Sequence, residues 1–402
     1  MNKQVPFMTL LWLAGLSMLG FLATDMYLPA FEAMRLDLAT SPANIGLTLS
    51  IFLLGMACGQ LVYGPLSDRI GRKPALLIGL SLYLVATVVC IFANNIYLLL
   101  GARLVQALGA CSAAVIWQAV VIDRYEGKLG QKVFATIMPL VALSPALAPL
   151  VGSHLLTLYD WRSIFVVLFA LGVGFVALTL REKESLSKPT QDTKIIDKLV
   201  IDYQQVFKSK KFIGNMLIFA GCSAAFFAYL TGSPFVMSAM GYTEADIGLS
   251  YIPQTIAFVV GGYACRHALN KLRDHSILPW LLKLFVISVV VIFLISWRTD
   301  VTNIWVILGP FCFLAAANGA IYPLVVNRAL ENFKSCSATA AGLLNFLQMM
   351  VCFVASAVVS AFAAAGLIAV TTVMLSTCAV VIIGFGLVWH ANRQAQTLAA
   401  AA

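Results

Sequence analysis

Charged side chains are scarce in this sequence, and their scarcity excludes an ordinary water-soluble globular protein. Only 11% of the 402 residues are Asp, Glu, Lys or Arg, whereas soluble domains carry about a quarter. Apolar side chains make up 61% of the chain, and its mean hydropathy is +0.93. Lipid is the solvent that tolerates so much apolar surface, so the composition predicts a membrane protein.

Patterns that bind metals or form disulfides are also missing. The nine cysteines form no C-x-x-C pair, and the four histidines do not cluster with them. Cysteines spread through apolar segments are typical of small core residues. The sequence therefore predicts neither a metal site nor a cofactor, and no H-E-x-x-H motif or cluster of His and Asp indicates an enzyme.

Long apolar runs, by contrast, are abundant. A membrane-spanning helix needs roughly 20 apolar residues, and backbone groups in hydrocarbon can be satisfied only within helices or closed barrels. Twelve segments qualify as continuous apolar helices: 8–30, 44–66, 75–93, 97–121, 133–158, 161–180, 212–238, 246–269, 277–297, 303–327, 337–364 and 367–389. The sequence therefore predicts an all-α membrane protein of twelve transmembrane helices.

The basic residues are distributed unevenly between the two sides of the predicted bundle. If the N-terminus is cytoplasmic, 21 Lys and Arg residues fall on the cytoplasmic side and 3 on the other. This asymmetry follows the positive-inside rule for a bacterial inner membrane, with both termini in the cytoplasm. The net charge of +9 thus predicts contact with membrane lipid and gives no reason to expect nucleic acid.

One connection is longer than the others and divides the chain. Residues 181–211 are rich in Lys, Glu and Asp, and separate six predicted spans in 1–180 from six in 212–402. Apolar residues recur at helical spacing between 195 and 207, which predicts an amphipathic helix on the cytoplasmic face. Two six-helix bundles are common in transporters, but the count alone leaves a channel, a receptor or a membrane enzyme open.

The segment G-P-L-S-D-R-I-G-R-K, from Gly64 to Lys73, connects the second and third predicted spans. Its chemistry alone describes a tight basic turn at the anionic leaflet. The segment also resembles the signature loop of the major facilitator superfamily at every defining position. The resemblance implies a gating latch, which does not bind cargo, formed by Gly64, Asp68, Arg69, Gly71 and Arg72.

Further motifs narrow this resemblance. R-L-V-Q-A-L-G at 103–109 resembles the fourth-helix motif of the superfamily, and S-P-A-L-A-P-L-V-G at 144–152 resembles the fifth-helix motif of its proton-driven antiporters. T-D-M-Y-L-P-A-F at 24–31 and Y-L-T-G-S-P-F-V at 229–236 resemble the Bcr/CflA branch, and within it the purine nucleoside transporters of enterobacteria. The resemblance implies a monomeric, proton-coupled transporter of a small solute. It favours purine nucleosides as cargo, with multidrug efflux by drug:proton antiport as the alternative, and leaves the direction open.

Three charged residues lie well inside predicted spans, and one of them, Lys283, is expected to reach the headgroups. Asp25 in the first span and Arg103 in the fourth fall at about the same depth, roughly 9 Å from the same surface. Charges in hydrocarbon are costly and are functional candidates by default. We therefore predict that Asp25 and Arg103 form an ion pair that couples transport to a proton gradient; a static structural pair is the alternative.

Polar and aromatic residues inside the spans are candidates for binding cargo. Amides suit base edges and ribose hydroxyls, and aromatic rings stack on a flat solute, whereas the same residues also serve as contacts between helices. The second half has no intramembrane carboxylate that would favour a cationic drug. The candidates are Tyr27, Trp117, Gln118, Phe226, Phe227, Tyr229, Tyr251, Gln254, Asn318, Tyr322, Asn345 and Gln348.

Overall fold

The computed structural model describes residues 5–125, 127–186, 203–269, 274–298, 301–333 and 337–401. Helices form almost all of this part of the chain, and twelve of the helical segments are long and apolar enough to cross a membrane. The prediction of an all-α membrane protein with twelve spans is therefore confirmed. Of the amphipathic helix predicted between 195 and 207, residues 203–207 are helical, and 195–202 lie outside the described residues, as do 187–194 before them.

The chain forms two compact units, Met1–Asp192 with Tyr242–Ile252, and Thr193–Gly241 with Pro253–Ala402. Seven helices precede the long connection: α1 Phe7–Asp25, α2 Phe31–Asp37, α3 Pro42–Ile70, α4 Arg72–Ile91, α5 Ile96–Arg124, α6 Gly127–Leu158 and α7 Arg162–Arg181. Six follow it: α8 Lys210–Ala239, α9 Glu244–Leu269, α10 Asp274–Arg298, α11 Trp305–Leu330, α12 Ser337–Ala361 and α13 Leu367–Ala401. The boundary between the units falls inside α9, after Ile252.

The first span is broken, which the hydropathy pattern did not predict. Helix α1 ends at Asp25, a short 3-10 helix follows at Leu28–Ala30, and α2 then continues the span. Pro29 explains the break, because proline has no N–H to donate to the carbonyl group four residues earlier. That carbonyl group belongs to Asp25. The break therefore places Asp25 at a helix end inside the membrane span.

Small residues bring the helices of the first unit close to α5. A Cβ atom added at Gly55 would lie 2.7 Å from Ala107 Cβ, and one at Gly59 would lie 2.5 Å from Cys111 Cβ. A Cβ atom at Gly109 would lie 2.4 Å from the backbone nitrogen of Tyr83 on α4. Such contacts are typical of membrane helices, in which small residues allow close backbone approach. They fix α5 between α3 and α4.

Helix α8 occupies the corresponding central place in the second unit, where it packs against α11, α12 and α13. A Cβ atom at Gly214 would lie 2.7 Å from the carbonyl oxygen of Gly384, and one at Gly221 would meet Val381 on the same helix at 2.7 Å. The hydroxyl groups of Thr231 and Ser356 share a hydrogen bond of 2.7 Å between α8 and α12. Most of α8 is therefore enclosed by its own unit.

Candidate functional site

A buried guanidinium group lies at the centre of the first unit. Arg103 on α5 is fully buried, and its Nη2 donates to the carbonyl oxygen of Ala23 on α1 at 2.9 Å. Its Nη1 donates to Oε1 of Gln106 at 2.6 Å, and the Gln106 amide in turn donates to the hydroxyl of Thr87 at 2.8 Å. Nε of Arg103 has no hydrogen-bond partner among the residues that the structure describes. A full positive charge is thus held by uncharged hydrogen-bond partners.

Three aromatic rings surround the same guanidinium group. Its central carbon lies 4.2 Å from the ring centroid of Tyr27, 4.3 Å from that of Phe52 and 5.8 Å from that of Phe165. A desolvated cation over an aromatic face gains about 2 kcal/mol, which offsets part of the cost of burial. The Tyr27 hydroxyl also shares a hydrogen bond with Thr48 at 3.1 Å. We predicted Tyr27 as a cargo-binding residue, but the structure places it fully buried against Arg103.

Asp25 follows Ala23, the contact of Arg103 on α1, by two residues. Its side chain is buried at the end of α1. The predicted ion pair with Arg103 is wrong for this structure. Among the described residues, no ion pair with a nitrogen–oxygen distance within 4.0 Å includes Asp25. Arg103 instead contacts Ala23, two residues earlier, and residues two apart do not share a helix face. The sequence predicted the same depth for Asp25 and Arg103 but could not predict that Asp25 faces a different direction around the helix axis from Ala23.

Helix α6 approaches the break after Asp25 more closely than a side chain would permit. A Cβ atom added at Gly152 would lie only 1.7 Å from the carbonyl oxygen of Met26, so glycine is required here. The helix carries Pro139, Pro145 and Pro149 upstream of this point. Gly152 belongs to the S-P-A-L-A-P-L-V-G motif. The motif therefore acts, at least in part, by packing α6 against the broken first span.

The signature loop is a sharp reversal built around two charged contacts. Gly71 has a φ of 101° and separates the end of α3 from the start of α4. Arg72 pairs with Asp68 one turn earlier and donates through Nε to Asp123 of α5 at 2.9 Å. Its Nη1 also donates to the hydroxyl of Ser67 at 2.7 Å. Arg72 therefore links the ends of α3, α4 and α5.

A glutamate that sequence reasoning missed caps the helix after this loop. The Glu184 carboxylate accepts hydrogen bonds from the backbone N–H groups of Arg72 and Lys73, both at 3.0 Å. It also accepts from the backbone N–H groups of Ser185 and Leu186. Partial burial acts to raise the pKa of Glu184, but these four bonds outweigh it and hold the pKa below the ordinary glutamate value. A Cβ atom at Gly71 would lie 2.7 Å from this carboxylate.

Further contacts tie the same segment to the helix ends around it. Lys73 donates to the carbonyl oxygens of Leu180 and Glu182, both at 2.8 Å. The Glu182 carboxylate pairs with Arg124 of α5 and accepts a hydrogen bond from Thr9 of α1 at 2.9 Å. The two glutamates of R-E-K-E-S at 181–185, which directly follow the end of α7 at Arg181, were the sequence signal for these contacts, because α7 ends on the predicted side of the signature loop.

Two of the predicted latch residues make no comparable contact in the structure. A Cβ atom at Gly64 would meet nothing within 4 Å, so close packing does not require glycine there. Arg69 is exposed, as expected for a basic residue at a membrane surface. Asp68, Gly71 and Arg72 therefore form the structural centre of the loop.

The first unit holds three more of the predicted cargo-binding residues. Trp117 on α5 is buried and packs against Phe134 of α6, with ring centroids 5.3 Å apart. Gln118, its neighbour, is exposed within this unit. Tyr251 is buried in the first unit, to which its part of α9 belongs. These positions do not form one cluster with Arg103.

In the second unit, aromatic and amide residues line the contact between α8 and α11. The rings of Tyr229 and Phe311 stack at 3.9 Å, and Phe226 stacks on Phe311 at 5.8 Å. Nδ2 of Asn318 donates to the carbonyl oxygen of Cys222 at 3.1 Å.

Two further predicted residues, Tyr322 and Phe227, pack against other rings of α8. Tyr322 packs edge-on against Phe219 at 4.9 Å, and Phe227 packs edge-on against Phe226 at 6.2 Å. The structure therefore brings five of the predicted residues to one seam: Phe226, Phe227, Tyr229, Asn318 and Tyr322.

The remaining predicted amides are separate from this seam. Gln254 on α9 is buried, and within the described ranges neither its Nε2 nor its Oε1 has a hydrogen-bond partner. Gln348 on α12 donates to Sγ of Cys352 at 3.2 Å, one turn further along the same helix. Asn345 is half-buried.

Comparison with known proteins identifies the family. The family model described as Major Facilitator Superfamily matches residues 13–356. Multidrug resistance protein D of Escherichia coli (strain K12) is 29% identical over 357 residues, which are 87% of each chain. The bicyclomycin resistance protein homolog of Haemophilus influenzae is 26% identical and covers 87% of this chain and 88% of its own. The uncharacterized MFS-type transporter YdgK of Bacillus subtilis (strain 168) is 32% identical over 66% of this chain and 67% of its own.

Solved structures share the fold at low sequence identity. A D-xylose-proton symporter superposes with a TM-score of 0.73 at 14% identity, over 95% of this chain and 97% of the symporter. A bacterial homolog of the human lysosomal transporter Spinster gives 0.71 at 13% identity, over 97% and 98% of the two chains. The family model and the relatives found by sequence are those of transporters, which sets aside the interpretation as an enzyme. The chain belongs to the Major Facilitator Superfamily, and among its relatives are proteins named for multidrug and bicyclomycin resistance.

Proposed function

We propose that this protein is a proton-coupled exporter of small, uncharged organic compounds that works by drug:proton antiport. The names of its relatives support export of drugs, since they include multidrug, bicyclomycin and chloramphenicol resistance proteins. The observation that carries the coupling is the position of Asp25, a buried carboxyl group at the break in the first span, two residues after the Ala23 carbonyl that Arg103 contacts. The positive-inside distribution supports an inner-membrane location with both termini in the cytoplasm.

The coupling mechanism follows from two alternative partners for Arg103. A carboxyl group in hydrocarbon avoids the cost of a buried charge either by binding a proton or by pairing with a cation. In the structure, Arg103 donates to the carbonyl oxygen of Ala23. When Asp25 loses its proton, a rotation or partial unwinding of α1 at its break brings the carboxylate to Arg103 in place of the carbonyl group. Protonation then returns Arg103 to Ala23.

This exchange requires little translation along the helix. Ala23 and Asp25 are two residues apart, which is about 3 Å along a helix axis. Asp25 is the last residue of α1, and Met26 and Tyr27 follow it in a turn. A helix end adjusts its backbone more readily than a helix interior, where every hydrogen bond is made. We therefore place the moving part of the proton switch between Ala23 and Tyr27.

The signature loop serves this cycle as a gate. Arg72 joins the ends of three helices, and Glu184 fixes the first turn of α4. Since the loop lies on the predicted cytoplasmic side, we infer that it stabilises one of the transport states and does not bind cargo.

Purine nucleosides are the second candidate cargo. The residues of the second half that lie inside spans supply amides and aromatic rings, and residues 277–297, 303–327 and 337–389 contain no Asp or Glu. Such a lining suits a neutral, flat, hydrogen-bonding solute better than a cationic drug. Both candidates share this chemistry and differ in direction and in the identity of the solute.

Transport into membrane vesicles tests the proposal. Everted vesicles containing the protein are given an acidic interior, and accumulation of labelled chloramphenicol and labelled adenosine is followed with the gradient intact and after a protonophore collapses it. We expect gradient-dependent accumulation of chloramphenicol. Accumulation of adenosine alone would favour the nucleoside transporter, and right-side-out vesicles would then give the direction. Movement of neither solute above empty vesicles would overturn the assignment of both cargo classes.

A further inference from the structure

The seam between α8 and α11 combines stacked rings with an unsatisfied amide. From this arrangement we propose that the seam recognises planar, neutral compounds that carry an N–H or O–H donor, and that Oδ1 of Asn318 is their acceptor. The proposal rests on the proposed transport function and specifies the chemistry that its cargo must have.

The residues that α11 contributes to the seam follow one face of that helix. Phe311, Asn318 and Tyr322 are spaced by seven and four residues, which places them on the same side of a helix. Each contacts α8 at a successive level: Phe311 stacks on Tyr229, Asn318 bonds to Cys222, and Tyr322 packs on Phe219. The Asn318 amide therefore lies between two aromatic pairs, Phe311 with Tyr229 on one side and Tyr322 with Phe219 on the other.

The amide of Asn318 is only half satisfied. Its Nδ2 donates to the carbonyl oxygen of Cys222, whereas its Oδ1 is buried and has no hydrogen-bond partner in the part of the chain that the structure describes. An unmet acceptor in an apolar setting is costly, and a ligand that supplies a donor recovers that cost. A site of this kind discriminates against otherwise similar molecules that lack the donor. The free atom is an acceptor, so the cargo must bring the N–H or O–H group.

Two aromatic side chains at the ends of the seam are partly accessible. Tyr322 is 47% exposed, although one edge of its ring packs on Phe219. Phe226, at the other end of the seam, is half-buried and stacks on Phe311. Aromatic rings that are partly open offer a face on which another ring gains from offset stacking. The neighbouring spans contribute no carboxylate, so no charge on the cargo is matched here.

Asn215 provides a matched control within the same unit. Like Asn318, Asn215 is a buried amide; it lies on α8, its Nδ2 donates to the carbonyl oxygen of Lys211 at 2.8 Å, and its Oδ1 has no hydrogen-bond partner among the described residues. It lies two turns before Cys222, near the start of α8, outside the aromatic seam. Replacement of either asparagine by leucine removes a buried amide of the same kind.

Binding of a matched pair of fluorescent probes tests the proposal. The pair is 7-amino-4-methylcoumarin, a planar neutral compound with two N–H donors, and its 7-dimethylamino analogue, which has none. Affinities of both probes are measured by fluorescence anisotropy on the purified full-length protein in lipid nanodiscs. The ratio of the two dissociation constants is compared among the wild type, Asn318→Leu and Asn215→Leu.

We expect Asn318→Leu to shift this ratio roughly tenfold towards the dimethylamino probe, the size expected for one hydrogen bond, and Asn215→Leu to leave it unchanged. The ratio cancels differences in apolarity between the probes. Equal ratios for wild type and Asn318→Leu, or absence of binding to folded wild-type protein, would overturn the proposal. If Asn318→Leu does not fold, Phe226→Leu replaces it in a second form of the test: both probes must bind more weakly while the ratio is retained. Gradient-driven transport is measured separately, so failure of the proposed function is distinguishable from failure of this recognition.

Discussion

The guanidinium group of Arg103 donates a hydrogen bond to the carbonyl oxygen of Ala23, two residues before Asp25, at 2.9 Å. The cation of the first unit thus contacts the same helix as the carboxyl group, through an uncharged group. The Ala23 carbonyl group and the Asp25 carboxyl group both lie close to the break that ends α1. This relationship is the basis of the proton switch, and its parts are separately testable.

Replacement of Arg103 by lysine is expected to destabilise the protein. A lysine ammonium group cannot reproduce the planar fork that reaches Ala23 and Gln106 together while stacking on Tyr27 and Phe52. Loss of one hydrogen bond to a charged group costs about 2 kcal/mol. Thermal unfolding of the purified variant should therefore show a Tm several degrees below that of the wild type.

Arg162→Lys is the control for the arginine-to-lysine change. Arg162 lies near the helix ends, where it pairs with Asp37 at 2.9 Å and its side chain is 29% exposed. It also donates to the carbonyl oxygen of Ala93 at 3.1 Å and lies 4.2 Å from the ring centroid of Trp161. Because these contacts are partly exposed to water whereas those of Arg103 are fully buried, the Tm of Arg162→Lys should fall by less than that of Arg103→Lys. Equal losses in the two variants would show that the buried cluster has no special importance.

The two ion pairs of Arg72 are expected to differ in strength. The Asp123 side chain is 20% exposed and that of Asp68 is 48% exposed. Water screens the more exposed pair, so double-mutant cycles on Tm should give a coupling of about 1 kcal/mol for Arg72 with Asp123 and less for Arg72 with Asp68. A larger coupling with Asp68 would contradict this ranking, and high salt should weaken the Asp68 pair first.

Glu184→Gln should destabilise the protein in a pH-dependent manner. The backbone hydrogen bonds hold the native pKa of Glu184 below the ordinary value, so its carboxylate contributes stability above the unfolded-state pKa and loses it as pH falls through the native pKa. At pH 7 the loss should be about 1 kcal/mol or less, as for an exposed helix cap. The difference in Tm between wild type and variant should shrink as pH falls below about 4.3.

Glu331→Gln controls for the loss of charge alone, because Glu331 pairs with Lys211 at the surface. A difference for Glu184→Gln that stays constant down to low pH would show that the carboxylate does not act as a helix cap. If Glu184→Gln and Glu331→Gln changed Tm equally at every pH, that result would also show that the Glu184 carboxylate does not act as a helix cap.

Gly152→Ala is expected to impair transport strongly. The added methyl group would lie 1.7 Å from the carbonyl oxygen of Met26, so α6 must move away from the break in the first span. Gly101→Ala and Gly174→Ala are controls, because a Cβ atom at either position meets nothing within 4 Å. Vesicle transport at equal protein levels should fall for Gly152→Ala alone. Wild-type transport by this variant would show that the close approach is dispensable.

Hydropathy and charge distribution predicted the twelve helices because both reflect the solvent around each segment. They did not predict the break at Asp25, although Pro29 four residues later was the available signal. Depth along the membrane could be read from the sequence, and it placed Asp25 and Arg103 at the same level. The angle around the helix axis could not be read once α1 was broken, and this angle decides that Ala23 and not Asp25 contacts Arg103.

The cargo-binding candidates show the same limit. Polarity inside a span identified Tyr27 and Asn318 alike, but only packing distinguishes a ring buried beneath a guanidinium group from an amide with an open acceptor. The contacts of Glu182 and Glu184 with the signature loop were missed because the two segments lie more than one hundred residues apart in the sequence. The many other charged residues of the long connection also made these two glutamates inconspicuous.

Release of protons on addition of cargo is the most direct test of the central claim that Asp25 carries the coupling proton. Purified wild-type protein and the isosteric Asp25→Asn variant are placed in weakly buffered detergent solution with a pH indicator, and chloramphenicol is added. We predict that the wild type releases protons as it binds chloramphenicol and that Asp25→Asn binds it without release. Equal proton release from the two proteins would contradict the account.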